Sequence, residues 1–230
     1  DRAVGLDPKE DYYLLFKGKA LLEQADGLAD AVDRRLPDDA GGADFSEYTS
    51  ADLSDAVKAR DNGFERAMTV LESAHTLAAH NTDHAANLGR AYQVWGERTY
   101  DTARRAERFG KSRDWFEQAI AQSPNNAGLR TELATTEYLA GDDTAAMAGI
   151  DDALAIDAEY GRPYRLRATM YREDKDWEKA EADYRAYVGT RDGKSDAVGW
   201  SGLAYVLGQA KKTEAAIVAN EKVLELASGD

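Results

Sequence analysis

Small and aromatic residues return about every 34 positions through the C-terminal two-thirds of this chain, and that period constrains its fold more than any other feature. Leu88-Gly89 and Tyr92 open one unit, and Phe116, Ala119 and Pro124 close it. Leu133-Ala134, Gly141, Ala146 and Ala153 mark the next. Ala168, Tyr171, Ala180 and Tyr184 follow, then Trp200, Leu203-Ala204, Ala216 and Leu224. A unit of this length is one helix hairpin that cannot bury its apolar face alone, so the core must lie between stacked neighbours.

The register follows by arithmetic. With Ala127 as position 1, Ala134, Ala146 and Ala153 fall at positions 8, 20 and 27, and Gly161 opens the next unit 34 residues on. The unit after that opens at Ala197, a step of 36, with the two extra residues in the Thr190–Ser195 turn, where Gly193 is expected to help the chain bend. Positions 8, 20 and 27 are expected where helix backbones approach closely, which admits only Ala, Gly or Ser. Larger residues at 4, 7, 11 and 24 fill the spaces between.

Counting back, Thr82 opens a unit whose second helix arrives about 11 residues late, so extended helices are expected across the charged stretch Glu97–Lys111. The first unit is wider still, by about 37 residues. Its opening helix is expected from about Pro8 to Leu36, with Asp7 as N-cap, and its second helix carries Ala67, Leu71 and Ala74. A turn-rich insertion at 37–51 lies between them. The expected organisation is a single domain over 1–230 with units near 8–81, 82–126, 127–160, 161–196 and 197–230.

These residue types at this spacing resemble the tetratricopeptide repeat. The resemblance implies an all-α, right-handed superhelical solenoid of antiparallel helix pairs. Three segments, Asp11–Glu23, Asn81–Tyr92 and Ser123–Asn126, also resemble stretches in large bacterial membrane proteins of the O-antigen ligase or polymerase family. Those proteins carry a repeat tail outside the cytoplasm, after a multi-helix membrane domain. The resemblance implies an extracytoplasmic tail or an independent relative, linked to cell-envelope or surface-glycan assembly. Glycosyl-transfer chemistry would then reside elsewhere, and no catalytic residue carries over. A chain starting at Asp1, without Met, is what a processed product or a piece of a longer protein would show.

The formal net charge of −14 argues against nucleic acid and anionic membrane surfaces as partners. No cysteine is present, so disulfides and thiolate sites are excluded, and no apolar run approaches the roughly 18 residues of a membrane helix. His75, His80 and His84 invite a metal reading, but His80-Asn81-Thr82-Asp83-His84 falls at an inter-helix turn, where Thr82 or Asp83 is expected to start the next helix. Asp142-Asp143 and Asp151-Asp152 lack the alternating ligands and central Gly of a calcium loop. No phosphate loop or Ser-His-Asp spacing occurs. No metal, no cofactor and no catalytic activity are expected.

What remains is a groove. In tetratricopeptide arrays the first helix of each unit lines the concave face through positions 2, 5, 6, 9, 12 and 13. By that resemblance the groove contains Asn87, Arg90 and Gln93, then Thr131, Glu132, Thr135 and Tyr138. Arg162, Arg165, Thr169 and Arg172 follow, then Ser201 and Tyr205. The candidate partner-binding residues are Asn87, Arg90, Tyr138, Arg162, Arg165, Arg172 and Tyr205. Three arginines on one helix stripe suit a carboxylate or other anion, unless Glu132 or Glu173 neutralises them. The clamp that some tetratricopeptide proteins use for chaperone tails fails here, because Gly128 and Glu132 stand where cations are needed. Glu137 and Arg167 occupy normally apolar positions and are expected to pair.

The expected function is a non-catalytic scaffold for a protein or peptide. The alternatives are a self-associating structural subunit, suggested by Ile217, Val218, Val223, Leu224 and Leu226 in the last helix, and an accessory tail of a membrane glycosyltransferase.

Overall fold

A computed structural model of the chain describes residues 8–33 and 51–228. Ten α-helices and one short 3₁₀ turn make up these residues: α1 (Pro8–Asp33), α2 (Ala51–Leu77), α3 (Thr82–Glu97), α4 (Thr102–Gln122), α5 (Ala127–Ala140), α6 (Asp143–Ile156), α7 (Gly161–Glu173), α8 (Trp177–Gly189), α9 (Ala197–Gln209) and α10 (Thr213–Ser228). The 3₁₀ turn, Gly193–Ser195, precedes α9. The proposed Asp7 cap and most of the insertion at 37–51 lie outside the described residues. Two compact units divide the chain: residues 1–124 with 139–141, and 125–138 with 142–230.

In the first unit α1 packs on α2 and α3 on α4 around Phe64, Met68, Leu71, Leu88, Tyr92 and Trp95. The late second helix has a simple origin. α4 runs for 21 residues against 14 in α6, so most of the inserted sequence extends α4 at its N-terminus. The turn before it is held by Arg98, which donates to Asp26 at 2.7 Å and contacts Asp30 at 2.9 Å on α1. Gly89, at position 8, lies against α4: a Cβ there would meet the Phe116 ring at 2.9 Å, and Ser112 Oγ donates to the Gly89 carbonyl at 2.8 Å. The cap of α3 differs from expectation. Asn81 Oδ1, not Thr82 or Asp83, accepts the Asp83 N–H at 3.0 Å. The Thr82 hydroxyl is drawn instead to Gln122 and Ser123 at the end of the neighbouring helix.

In the second unit α5, α7 and α9 begin at Ala127, Gly161 and Ala197, the residues that the repeat arithmetic sets as position 1. Ala134, Ala146, Ala153, Ala168, Ala180 and Ala204 are all buried at the helix crossings. Each hairpin closes through the same turn. Gly141 (φ 86°), Lys175 (φ 60°) and Lys211 (φ 60°) occupy position 15 of successive units in the left-handed region. After each, the next N–H reaches back five residues: Asp142 to Glu137, Asp176 to Tyr171 and Lys212 to Leu207, all at 2.9 Å. This is the Schellman closure of a helix C-terminus. Asp142 and Asp176 then cap the following helix, accepting from Ala145 N at 3.0 Å and Lys179 N at 3.3 Å.

Gly193 is required for a different reason than a bend. It is buried, and a Cβ would stand 1.9 Å from the Tyr187 carbonyl oxygen, so the 36-residue unit depends on a bare backbone at this contact.

Candidate functional site

The first helices of the last three hairpins line two adjoining pockets in the second unit. Thr131, Glu132 and Thr135 of α5, Tyr160, and Arg162, Arg165, Leu166 and Thr169 of α7 wall the first. Arg165, Thr169 and Arg172 of α7, Tyr184 of α8, and Val198, Ser201, Gly202 and Tyr205 of α9 wall the second. Arg165 and Thr169 belong to both, so the pockets form one trough along α7. Its α7 residues fall at i, i+3, i+7 and i+10, a single helical stripe.

The arginines of this stripe are loosely held. Arg162 reaches Glu132 at 3.5 Å, and Arg165 lies 3.7 Å from Asp196 Oδ2 and 5.7 Å from the centre of the Tyr187 ring. Arg172 forms no ion pair among the described residues. Asp196 is already engaged elsewhere: its Oδ2 accepts from the Tyr187 hydroxyl at 2.6 Å and its Oδ1 caps α9 through Val198 N at 3.0 Å. Burial pushes the Tyr187 phenol up to about 12, and the adjacent Asp196 carboxylate acts in the same sense.

Arg167, on the same helix, is held tightly. Its Nε and Nη2 donate to Asp183 at 2.7 and 3.0 Å, and its Nη1 donates to Asp151 at 3.0 Å. The expected partnership with Glu137 is therefore replaced by one with Asp183 and Asp151. All three guanidinium nitrogens are spent on acids of the second helices, and Glu137 is buried on α5.

Of the other expected site residues, Tyr205 projects into the trough and meets Trp177 edge-on at 6.3 Å. Tyr138 is half-buried on α5; burial and the hydrogen-bonded Glu173 carboxylate raise its hydroxyl well above the usual phenol range. Asn87 and Arg90 stand on α3 in the first unit, where Asn87 Nδ2 donates to its own helix at Asp83 O, 2.6 Å away. The trough also includes Tyr160, Leu166, Tyr184, Val198 and Gly202, which were not among the expected groove residues. Val198 sits at position 2 and Leu166 and Gly202 at position 6, so the repeat period carried the signal for three of them.

The three histidines stand in different surroundings. His84 is buried, with Nδ1–H donating to Ala74 O at 3.1 Å and Nε2 3.7 Å from Asp11 Oδ2, while His80 is exposed. His75 meets Trp115 edge-on at 4.9 Å. Among the described residues no cluster of three or more His, Asp or Glu side chains is arranged to hold a metal, and no helix is long and apolar enough to cross a membrane.

The geometry defines the class: an all-α protein of tetratricopeptide-type helix pairs with a trough along first helices. Solved structures agree on the fold. MamA is similar at TM-score 0.56 and 14% identity, over 76% of this chain and 94% of that one. TTC0263 of Thermus thermophilus, a tetratricopeptide protein, matches at TM-score 0.56 and 18% identity, over 74% and 86%. The APC/C hetero-tetramer Cut9-Hcn1 matches at TM-score 0.56 and 14% identity, over 77% of this chain and 33% of that chain. The family of the plant-specific mitochondrial import receptor subunit TOM20 matches residues 48–157, somewhat under half of the chain. No curated protein matches the sequence.

Proposed function

We propose that this protein is a non-catalytic scaffold that binds a partner protein through a peptide segment laid in the α7 trough. One observation carries the reading: Arg165 and Thr169 join two pockets into one open channel whose arginines are only loosely engaged internally. A preformed channel with unsaturated donors binds by complementarity and needs no reacting group. Nucleic acid is disfavoured as a partner by the net charge of −14. The short resemblances to O-antigen ligase tails support a place outside the cytoplasm, in cell-envelope or surface-glycan assembly, either as an independent protein or as an accessory tail of a membrane glycosyltransferase. Affinity capture with the purified chain, followed by crosslink mapping, tests the reading. Crosslinks concentrated on α5, α7 and α9 are expected, and crosslinks that avoid these helices would overturn it.

A second reading, self-association into an array, is favoured by Ile217, Val218 and Leu224 on α10, large apolar side chains left exposed on the last helix. Sedimentation velocity over a wide concentration range tests it, since a chain that stays monomeric throughout is not an assembly subunit.

A further inference from the structure

We infer that the trough takes an acidic segment of a partner polypeptide that carries two carboxylates about 9–10 Å apart and turns an apolar side toward α9. The inference rests on the trough as the binding site and names the chemistry of what fills it. Arg165 and Arg172 stand seven residues apart on α7, which at the α-helical rise is about 10 Å. On the facing helix Val198 and Tyr205 repeat the same seven-residue step, and they are 66% and 52% exposed although large and apolar. One wall is thus cationic and the other apolar, both with the same spacing.

Charge decides the occupant. Arg172 has no ion partner among the described residues, and Arg165 competes for an Asp196 carboxylate that Tyr187 and the α9 N-terminus already hold. These two guanidiniums keep donors for an incoming carboxylate, the pairing that arginine makes most strongly. An extended chain of polyproline-II type returns a side chain to the same face every third residue, after about 9 Å. Two acidic residues three apart therefore meet both arginines, and residues between them face Val198 and Tyr205. The rest of the surface, in a chain of net charge −14, repels such a segment and confines it to the trough.

The test selects from a random 12-residue peptide library on the full chain, then measures the recovered peptides by fluorescence anisotropy. Enrichment of acidic residues three apart beside apolar ones is expected. Binding should weaken at least tenfold in Arg165→Ala/Arg172→Ala and in Tyr205→Ala, and fall with added salt. Both arginines are partly exposed, so an unchanged circular dichroism melt confirms that the variants fold. Peptides without acidic enrichment, lost on Tyr205→Ala but indifferent to the arginines, overturn this inference and leave the trough standing. Peptides indifferent to every trough substitution, or none recovered, overturn both. Single-stranded DNA bound as tightly as the peptides, with the same arginine dependence, overturns the choice of a polypeptide.

Discussion

Arg167 on α7 clasps Asp183 on α8 through two parallel hydrogen bonds, Nε to Oδ2 at 2.7 Å and Nη2 to Oδ1 at 3.0 Å. Asp183 is 7% exposed, so the pair sits in the seam between helices. Asp183→Ala leaves a half-buried guanidinium with only Asp151 and should cost about 2 kcal/mol in urea unfolding. Arg172→Ala on the same helix should stay within about 0.5 kcal/mol of the parent. A double-mutant cycle of Arg167→Leu and Asp183→Leu should give a coupling of about 1 kcal/mol or more; additive effects would show that the clasp contributes no pairwise stability.

The left-handed turn residues offer a second measurement. Lys175 and Lys211 adopt the backbone conformation that Gly141 adopts at the same repeat position. Lys175→Gly and Lys211→Gly should each stabilise the chain, by up to about 1 kcal/mol, because glycine enters this region without the Cβ clash. Gly141→Ala should cost about the same. Thermal melts that show the opposite order would disprove the assignment of these turns.

Gly193→Ala tests the close approach behind α8. Its Cβ would collide with the Tyr187 carbonyl, and backbone atoms cannot move aside cheaply. A loss of roughly 2 kcal/mol or more is expected, with faster hydrogen exchange in the turn before α9. Gly189→Ala, where nothing lies within 4 Å, serves as the neutral control.

His75 sets a pH dependence. Burial, and secondarily the charge of His84, lower its pKa from the ordinary 6.5. The unfolded chain therefore binds a proton more readily than the folded one. The stability from a neutral His75 is fully present above pH 6.5 and is lost as pH falls through the lower folded value. The melting temperature of the parent should fall more steeply between about pH 7 and 5 than that of His75→Gln. Parallel curves would exclude His75 as the source.

The helix starts of the second unit were legible because the close contacts repeat. Ala134, Ala168 and Ala204 recur at the crossing positions, where any larger side chain would push helices apart. Ion-pair partners were not legible. Arg167 and Asp183 are 16 residues apart, and their meeting depends on the lateral offset of two helices, which a periodic pattern does not encode. The α3 cap was missed for a related reason: Thr82 finds partners at the end of α4, leaving Asn81 to serve the helix start. In the trough, the arginine stripe was visible as a spacing, whereas Tyr160 precedes α7 and falls outside the first-helix positions.

The three matching turns at Gly141, Lys175 and Lys211 have a bearing on how the chain is made. Each joins two helices across a few residues, so bringing those helices together closes a very short loop and forfeits little chain entropy. A nascent chain can zip each of these hairpins shut as soon as its second helix is synthesised, without waiting for distant sequence. Refolding of a fragment that spans α7 to α10 should accordingly be fast and insensitive to the length of chain placed before it.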